Sequence, residues 1–207
     1  MPSLLERLLG DDTPDEQVDL EARQSDANDA LQDRINADSY GINKCGVTGV
    51  AVVNEGPDGK PVTVPIARFS LGEDVEDPDM DLIWDLVPEA LLVLDNNFSD
   101  VFVRHYDVQF TFDGDELFEA EECRRVATPP AYAEELGTET MFDGDALRER
   151  LLTEHNIDDD VAPVAWGECK DYTNTNNTAV VTGGAVAAAA VSGSAASCAG
   201  AAGGGGC

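Results

Sequence analysis

Residues Val101–Val126 read VFVRHYDVQFTFDGDELFEAEECRRV. Phe102, Tyr106, Val108, Phe110 and Phe112 fall on even positions, with His105, Asp107, Gln109 and Thr111 between them. An apolar residue at every second position is the signature of a strand with one face in a core. Asp113-Gly114 supplies a turn, because glycine reaches positive φ without steric cost. The stretch is therefore expected to be a β-hairpin. A three-residue turn at Asp113–Asp115 would set His105 opposite Cys123, Asp107 opposite Glu121 and Phe110 opposite Phe118. A two-residue turn moves each partner by one and dissolves those pairs. The face bearing His105 is expected to be a solvated strand face.

Upstream, Cys45–Val53 and Pro61–Phe69 read as a second hairpin around the turn signals of Asn54–Lys60. Pro65 cannot donate to a ladder, which places its strand at a sheet edge. Met80–Asp95 carries Ile83, Trp84, Val87, Leu91 and Leu94 at helical spacing, with Pro88 expected to kink or split it. Nearer the start, Ser3–Leu9 reads as a short amphipathic helix. Thr13-Pro14-Asp15-Glu16 has the form of a capping box for a surface helix reaching about Asn36, with the thin stripe Leu20, Ala27, Leu31 and Ile35. Downstream, Ala131–Leu136 and Asp143–His155 read as helices, the second with Leu147, Leu151 and Leu152 inward. Val161–Cys169 reads as a strand carrying Trp166. The expected fold is α+β: an antiparallel sheet built from two β-hairpins with helices on one face. Residues 1–12 form an N-terminal helix, 13–172 the acidic domain and 173–207 an uncharged tail.

The chain has 42 Asp and Glu against 12 Lys and Arg, a net charge of −30, and lysine only at Lys44, Lys60 and Lys170. Such an acidic, lysine-poor surface resembles that of proteins from the cytoplasm of extreme halophiles. At molar salt the Debye length is about 3 Å, so self-repulsion is screened, whereas dilute buffer would leave it in force. Nucleic-acid binding is disfavoured, since counterion release requires clustered Lys and Arg. Neither a signal peptide nor a membrane span is expected: the Met1–Asp12 segment lacks a basic start, and Ala179–Ala202 is only faintly hydrophobic. The expected compartment is the cytoplasm. Five cysteines (Cys45, Cys123, Cys169, Cys198, Cys207) at wide spacing argue against a disulfide framework.

Candidate chemistry is sparse. His105 and His155 are the histidines. In the three-residue-turn register, His105 and Cys123 would be the metal ligands or a reactive thiol pair. Cys169, Cys198 and Cys207, with Cys123, are a looser metal set. The acidic runs Glu73–Asp81 and Asp158–Asp160 lack the ordered alternation of a calcium loop. No glycine-rich phosphate motif is present, and neither a catalytic set nor a cofactor is expected. Asn97-Phe98-Ser99 and Asn176-Asn177-Thr178 match glycosylation acceptors, of no weight without secretion.

From Thr173 onward no residue is charged, and the low apolar area of an Ala/Gly/Ser-rich segment predicts a disordered tail. Val181-Thr182-Gly183-Gly184 precedes AVAAAAVSGSAASCAGAAGGGGC. This resembles the junction in precursors of ribosomally made, modified, bacteriocin-like peptides, and the layout resembles halophile peptide antibiotics whose precursor bears a large acidic domain before a cysteine-containing end. The resemblance implies cleavage after Gly183-Gly184, a modifying enzyme, and an exporter or peptidase as partners. Ser192, Ser194 and Ser197, once dehydrated, would accept the thiolate of Cys198 or Cys207 to form a thioether ring. Val181 meets the apolar pattern expected upstream of such a cut; Thr178 and Thr173 do not. The leading expectation is a non-enzymatic interaction or carrier domain that keeps its tail and binds an unidentified protein partner. A peptide precursor that loses the tail is the alternative, and a Cys/His metal-binding protein the third reading.

Overall fold

The computed structural model describes residues 18–56, 59–72, 74–113, 121–139, 141–172 and 179–181. The expected Ser3–Leu9 helix, the Thr13–Glu16 capping box and the turn at Asp113–Asp115 beyond Asp113 lie outside them. So do Gly183, Gly184, Ser192, Ser194, Ser197, Cys198 and Cys207.

The fold is mixed α/β, with a mostly antiparallel sheet. The first helix, α1 (Leu20–Arg34), starts later than the sequence predicts: Asp19 caps it by accepting from the Ala22 N–H at 3.0 Å. A single turn, α2 (Ala37–Tyr40), was not visible in the sequence. Gly41 ends it in the left-handed conformation at φ +66. The strands β1 (Lys44–Glu55) and β2 (Pro61–Gly72) form the upstream hairpin, Cys45 facing Phe69. Next comes α3 (Met80–Phe98), capped by Asp79, which accepts from Asp81 N–H. Pro88 does not split it. One 19-residue helix runs through that position, held by a face that buries Ile83, Val87, Leu91 and Leu94.

The central stretch becomes β3 (Phe102–Val103), β4 (Tyr106–Asp113) and β5 (Glu121–Thr128). The β4–β5 register pairs Tyr106 with Thr128, Val108 with Val126 and Thr111 with Cys123. It is therefore wider than a three-residue turn allows, and the expected facing of His105 and Cys123 does not occur. Six residues at strand rise separate His105 from the position across from Cys123, roughly 20 Å along β4. Phe102 does not continue the core face; its strand is a short separate piece and the ring is 63 % exposed. The remaining elements are α4 (Pro130–Thr138), α5 (Gly144–Thr153), β6 (Val164–Glu168) and β7 (Ala179–Val181). On α5, Leu147 and Leu151 are buried, whereas Leu152, expected inward, is 55 % exposed.

The lateral strand order is β6-β5-β4-β2-β1-β7, with β3 beside β2. Two antiparallel hairpins are thus joined by a parallel contact, β2 with β3 and β4, which the sequence reading did not anticipate. A parallel junction needs a crossover, and α3 is that crossover. Nor is β2 at an edge; it lies between β4 and β1. Pro65 is accommodated because the neighbouring strand is interrupted there. Thr63 O accepts from Arg104 N–H at 2.8 Å, and Pro65, two residues on, turns its missing N–H to the same side, at the break between β3 and β4.

The main core joins α1, α3, α4 and α5 to alternate strand positions, among them Val47, Phe69, Val108, Phe110 and Val126. Phe69 and Phe110 stack at 5.3 Å, and Trp166 of β6 lies 5.9 Å from Phe110. A second, smaller cluster gathers Ala51, Val64, Ile66 and Tyr172.

Candidate functional site

Alternation along β4 sends Tyr106, Val108, Phe110 and Phe112 into the main core, which leaves His105, Asp107, Gln109 and Thr111 for the opposite side. That side is not solvated. His105 is 2 % exposed, Asp107 0 %, Gln109 1 % and Thr111 7 %, with Arg125 of β5 at 0 %. The expectation of a solvated strand face is overturned. The chain after β6 covers it, and Tyr172 is the residue that reaches in.

The Tyr172 hydroxyl donates to Asp107 Oδ2 at 2.8 Å and lies 3.1 Å from His105 Nε2. With the phenolic hydrogen committed to Asp107, the imidazole is the donor to Tyr172 and carries its proton on Nε2. Gln109 Nε2 donates to the same carboxylate oxygen at 3.2 Å. Gln109 Oε1 in turn accepts from Arg68 at 2.6 and 3.1 Å. Arg125 Nη1 stands 3.7 Å from Asp107 Oδ2, an ion-pair distance too long for a hydrogen bond. Its guanidinium also donates to the carbonyls of Glu168 (3.0 Å) and Asp159. His105 Nδ1, Asp107 Oδ1 and Arg125 Nη1 are buried without a hydrogen-bond partner among the described residues.

Burial, then the positive charges of Arg125, Arg104 and Lys170, push His105 down to about 3, so the ring is neutral at ordinary pH. Burial raises the carboxyl of Asp107, and Arg125 opposes that most strongly. Burial and the Asp107 charge raise the Tyr172 phenol. Chemically this is a closed polar chain, His105–Tyr172–Asp107, neutralised by a buried arginine. It holds protons in fixed places and pins the segment after β6. Both His105 and Asp107 are closed off from solvent by the described residues.

The structure does not bring His105 and Cys123 together. Cys123 is bonded to Cys169, their Cα atoms 5.5 Å apart, tying β5 to the residue after β6. This overturns the reading that the cysteine spacing argues against a disulfide: residues 46 apart in sequence meet because β6 pairs beside β5. A disulfide sulfur is not a thiolate, so the bond removes Cys123 as a metal ligand or nucleophile while it lasts. It also sits poorly with the expected cytoplasmic compartment, since such bonds persist mainly in oxidising ones. Cys45 keeps its thiol, buried against Ile35 O at 3.8 Å, and burial raises its pKa. His155 accepts from Ala165 N–H at 3.1 Å and faces Asp159 at 3.5 Å. Among the described residues no three His, Cys, Asp or Glu side chains are placed to hold a metal ion. In the acidic runs, Asp79 caps α3, Asp81 meets Arg148, and Asp160 meets Lys170 at 2.8 Å.

The side of β1 away from β2 is covered in two different ways. Near its start, α1 lays polar side chains against it: Asn28 Oδ1 accepts from Val47 N–H at 3.2 Å, and Gln24 Nε2 donates to Val47 O. Further on, Val50, Ala51 and Val52 pair with Val181, Val180 and Ala179 of β7. The sequence missed Arg125, Gln109 and Tyr172. The available signal was that β4's second face bears one carboxylate, Asp107, among His105, Gln109 and Thr111, in a chain otherwise dense in acidic side chains.

Together these elements define an acidic α/β domain in which the residues after β6 are strapped by Tyr172 across one sheet face and Ala179–Val181 pairs along β1. Comparison of the chain with family models, with curated proteins and with solved structures finds no match. No helix among the described residues is long and apolar enough to cross a membrane.

Proposed function

We propose that this protein is a non-enzymatic, salt-adapted carrier domain for its own C-terminal segment. The observation that carries this reading is the pairing of Ala179–Val181 with Val50–Val52. The uncharged tail does not simply leave the acidic body. Within it Ala179–Val181 is taken up as a strand, and Gly183-Gly184 follows after Thr182. Main-chain pairing of this kind holds a segment with little regard to its side chains. That suits a carrier of an Ala, Gly and Ser sequence with few side chains to grip. The buried state of His105 and Asp107 favours a holding role over a catalytic one.

In its sharper form the reading is a peptide precursor. A cut after Gly184 frees a product beginning at Ala185, modified at Ser192, Ser194 or Ser197 with Cys198 or Cys207, while the body stays behind in the cell. The partners are then a modifying enzyme and an exporter or peptidase. Intact mass of the protein from its own host in high salt, together with the small-peptide fraction, tests it. A body ending at Gly184 and a released peptide lighter by one or more waters supports the precursor form. A full-length, unmodified chain leaves the carrier as a permanent tether. A β7 segment whose amides exchange as fast as a free peptide would sink the carrier reading itself.

A further inference from the structure

We propose that the groove at the C-terminal end of α3 is the docking site of this chain's own residues 3–9, with their leucines against Phe102 and Arg7 against the carboxylates of Asp95 and Glu134. The groove has a volume of about 470 Å³ and lies between the end of α3, β3 and the start of α4. Phe98, Phe102 and Tyr106 line it together with Asp95 and Glu134. Phe98 and Tyr106 are fully buried, whereas the Phe102 ring is 63 % exposed. The Tyr106 hydroxyl donates to Asp95 Oδ1 at 2.9 Å, which fixes one carboxylate at the groove. The site therefore suits an apolar body that carries a positive charge. A comparable hollow between α3 and α5 makes no such demand. Its aromatic ring, Trp84, already has Arg148 at 5.8 Å, and the same arginine meets Asp81.

Residues 3–9 read SLLERLL. At about 100° per residue Leu4, Leu5, Leu8 and Leu9 form one apolar stripe, and Arg7 stands beside it. Such a stripe is what a helix lays into an apolar groove. Arg7 is also the one basic side chain before Arg23 in a chain with 42 Asp and Glu. The position of α1 brings this segment to the groove. Arg23 donates to the Asp100 carboxylate at 2.6 Å through both Nη atoms, and to Asn97 O at 2.9 Å. At the other end of α1, Arg34 meets Glu89, so α1 and α3 run in opposite directions. The chain ahead of Leu20 thus leaves α1 beside Asp100. Ser99 and Val101, on either side of Asp100, line the groove. Residues 11–17 are a polar, acidic connection that spans about 23 Å when extended, enough to pass the end of α3. So short a link keeps the effective concentration on the order of millimolar, and a contact too weak for separate molecules is still populated.

The test uses the full chain in high salt and follows amide exchange of residues 4–9 and of α3 at two protein concentrations. Residues 4–9 are expected to exchange about tenfold or more slowly than in a synthetic peptide of residues 1–12. Phe102→Asp, and separately the double variant Leu5→Asp, Leu8→Asp, should return them to the peptide rate while α3 stays protected. Arg7→Glu should lose part of the protection. Peptide-like exchange in the unaltered chain would overturn the proposal. Protection that survives Phe102→Asp would also overturn it, because the segment would then rest elsewhere. So would protection that grows with protein concentration, since a second copy would then fill the groove. Should Phe102→Asp disturb α3, the unaltered chain still decides. Methyl protons of Leu5 and Leu8 are expected to show nuclear Overhauser contacts to the Phe102 ring, and their absence overturns the docking.

Discussion

The two faces of the sheet use the same strands under opposite rules. On the helical side, Val108, Phe110 and Val126 meet Phe69, Leu91 and Trp166 in an apolar layer whose stability grows with the area removed from water. On the strap side, Asp107, Arg125, Gln109 and His105 are as deeply buried, but each must be matched by a particular partner. The first face tolerates exchange of one apolar shape for another. The second fails when a single partner is lost. The contrast places specificity of fold on the strap side and bulk stability on the helical side.

The largest effects should come from breaking each face at its centre. Phe110→Ala removes a fully buried ring that touches both Phe69 and Trp166, and should cost about 3–5 kcal/mol in denaturant unfolding at high salt. Arg125→Met should cost a similar 3–5 kcal/mol or so, because Asp107 is left buried without its counter-charge. The faces then part company in the double variant. Adding Asp107→Leu to Arg125→Met should recover much of the loss, since replacing a whole buried pair by apolar groups is often nearly neutral. If the double variant is as unstable as the two single losses added together, the strap side follows area rules after all.

The faces should also differ in acid. His105 is depressed in the fold from 6.5 to about 3. A depressed value means that the unfolded chain takes up the proton first. The contribution of His105 is therefore complete above about pH 6.5 and is lost as pH falls toward 3. Asp107 is raised by burial, so the folded state takes up its proton first and offsets part of that loss. Unfolding midpoints at fixed high salt should fall between pH 6.5 and 4, and His105→Gln should flatten that slope. Phe110→Ala should shift the curve without changing its slope.

The helical face was legible in the sequence and the strap face was not, for a physical reason. Alternation in Val108, Phe110 and Phe112 and helical spacing in Ile83, Val87 and Leu91 are local signals, set by backbone periods of two and 3.6. They gave the strands and helices of a mixed α/β fold with a mostly antiparallel sheet. What covers the other face is decided by Tyr172, far from Asp107 in sequence, and no local period encodes that pairing. The same limit explains the disulfide, which needs β6 beside β5, and the interior position of β2. Pro65 signals an edge only if its neighbour is continuous, and the break between β3 and β4 was hidden in Arg104-His105. Of the site, His105 and Cys123 stand out in the sequence as rare residue types, but their partners are Tyr172 and Cys169.

The smallest expected effect tests how the sheet ends rather than how its faces are covered. Gly46 lies where α1 crosses the β1 edge, and an added Cβ would fall 2.8 Å from Asn28 Oδ1. That oxygen is the one accepting from Val47 N–H. Gly46→Ala should displace the Asn28 side chain and forfeit one hydrogen bond, at a cost of about 0.5–1.5 kcal/mol. Because the obstacle is a side chain rather than backbone, Asn28→Ala should already incur most of that loss, and adding Gly46→Ala to it should cost little more. Double-mutant unfolding curves measure that coupling directly. A large further loss in the double variant would mean that the helix backbone itself presses on β1 there. The edge would then be closed by packing, as on the helical face, and not by a polar match of the kind that governs the strap side.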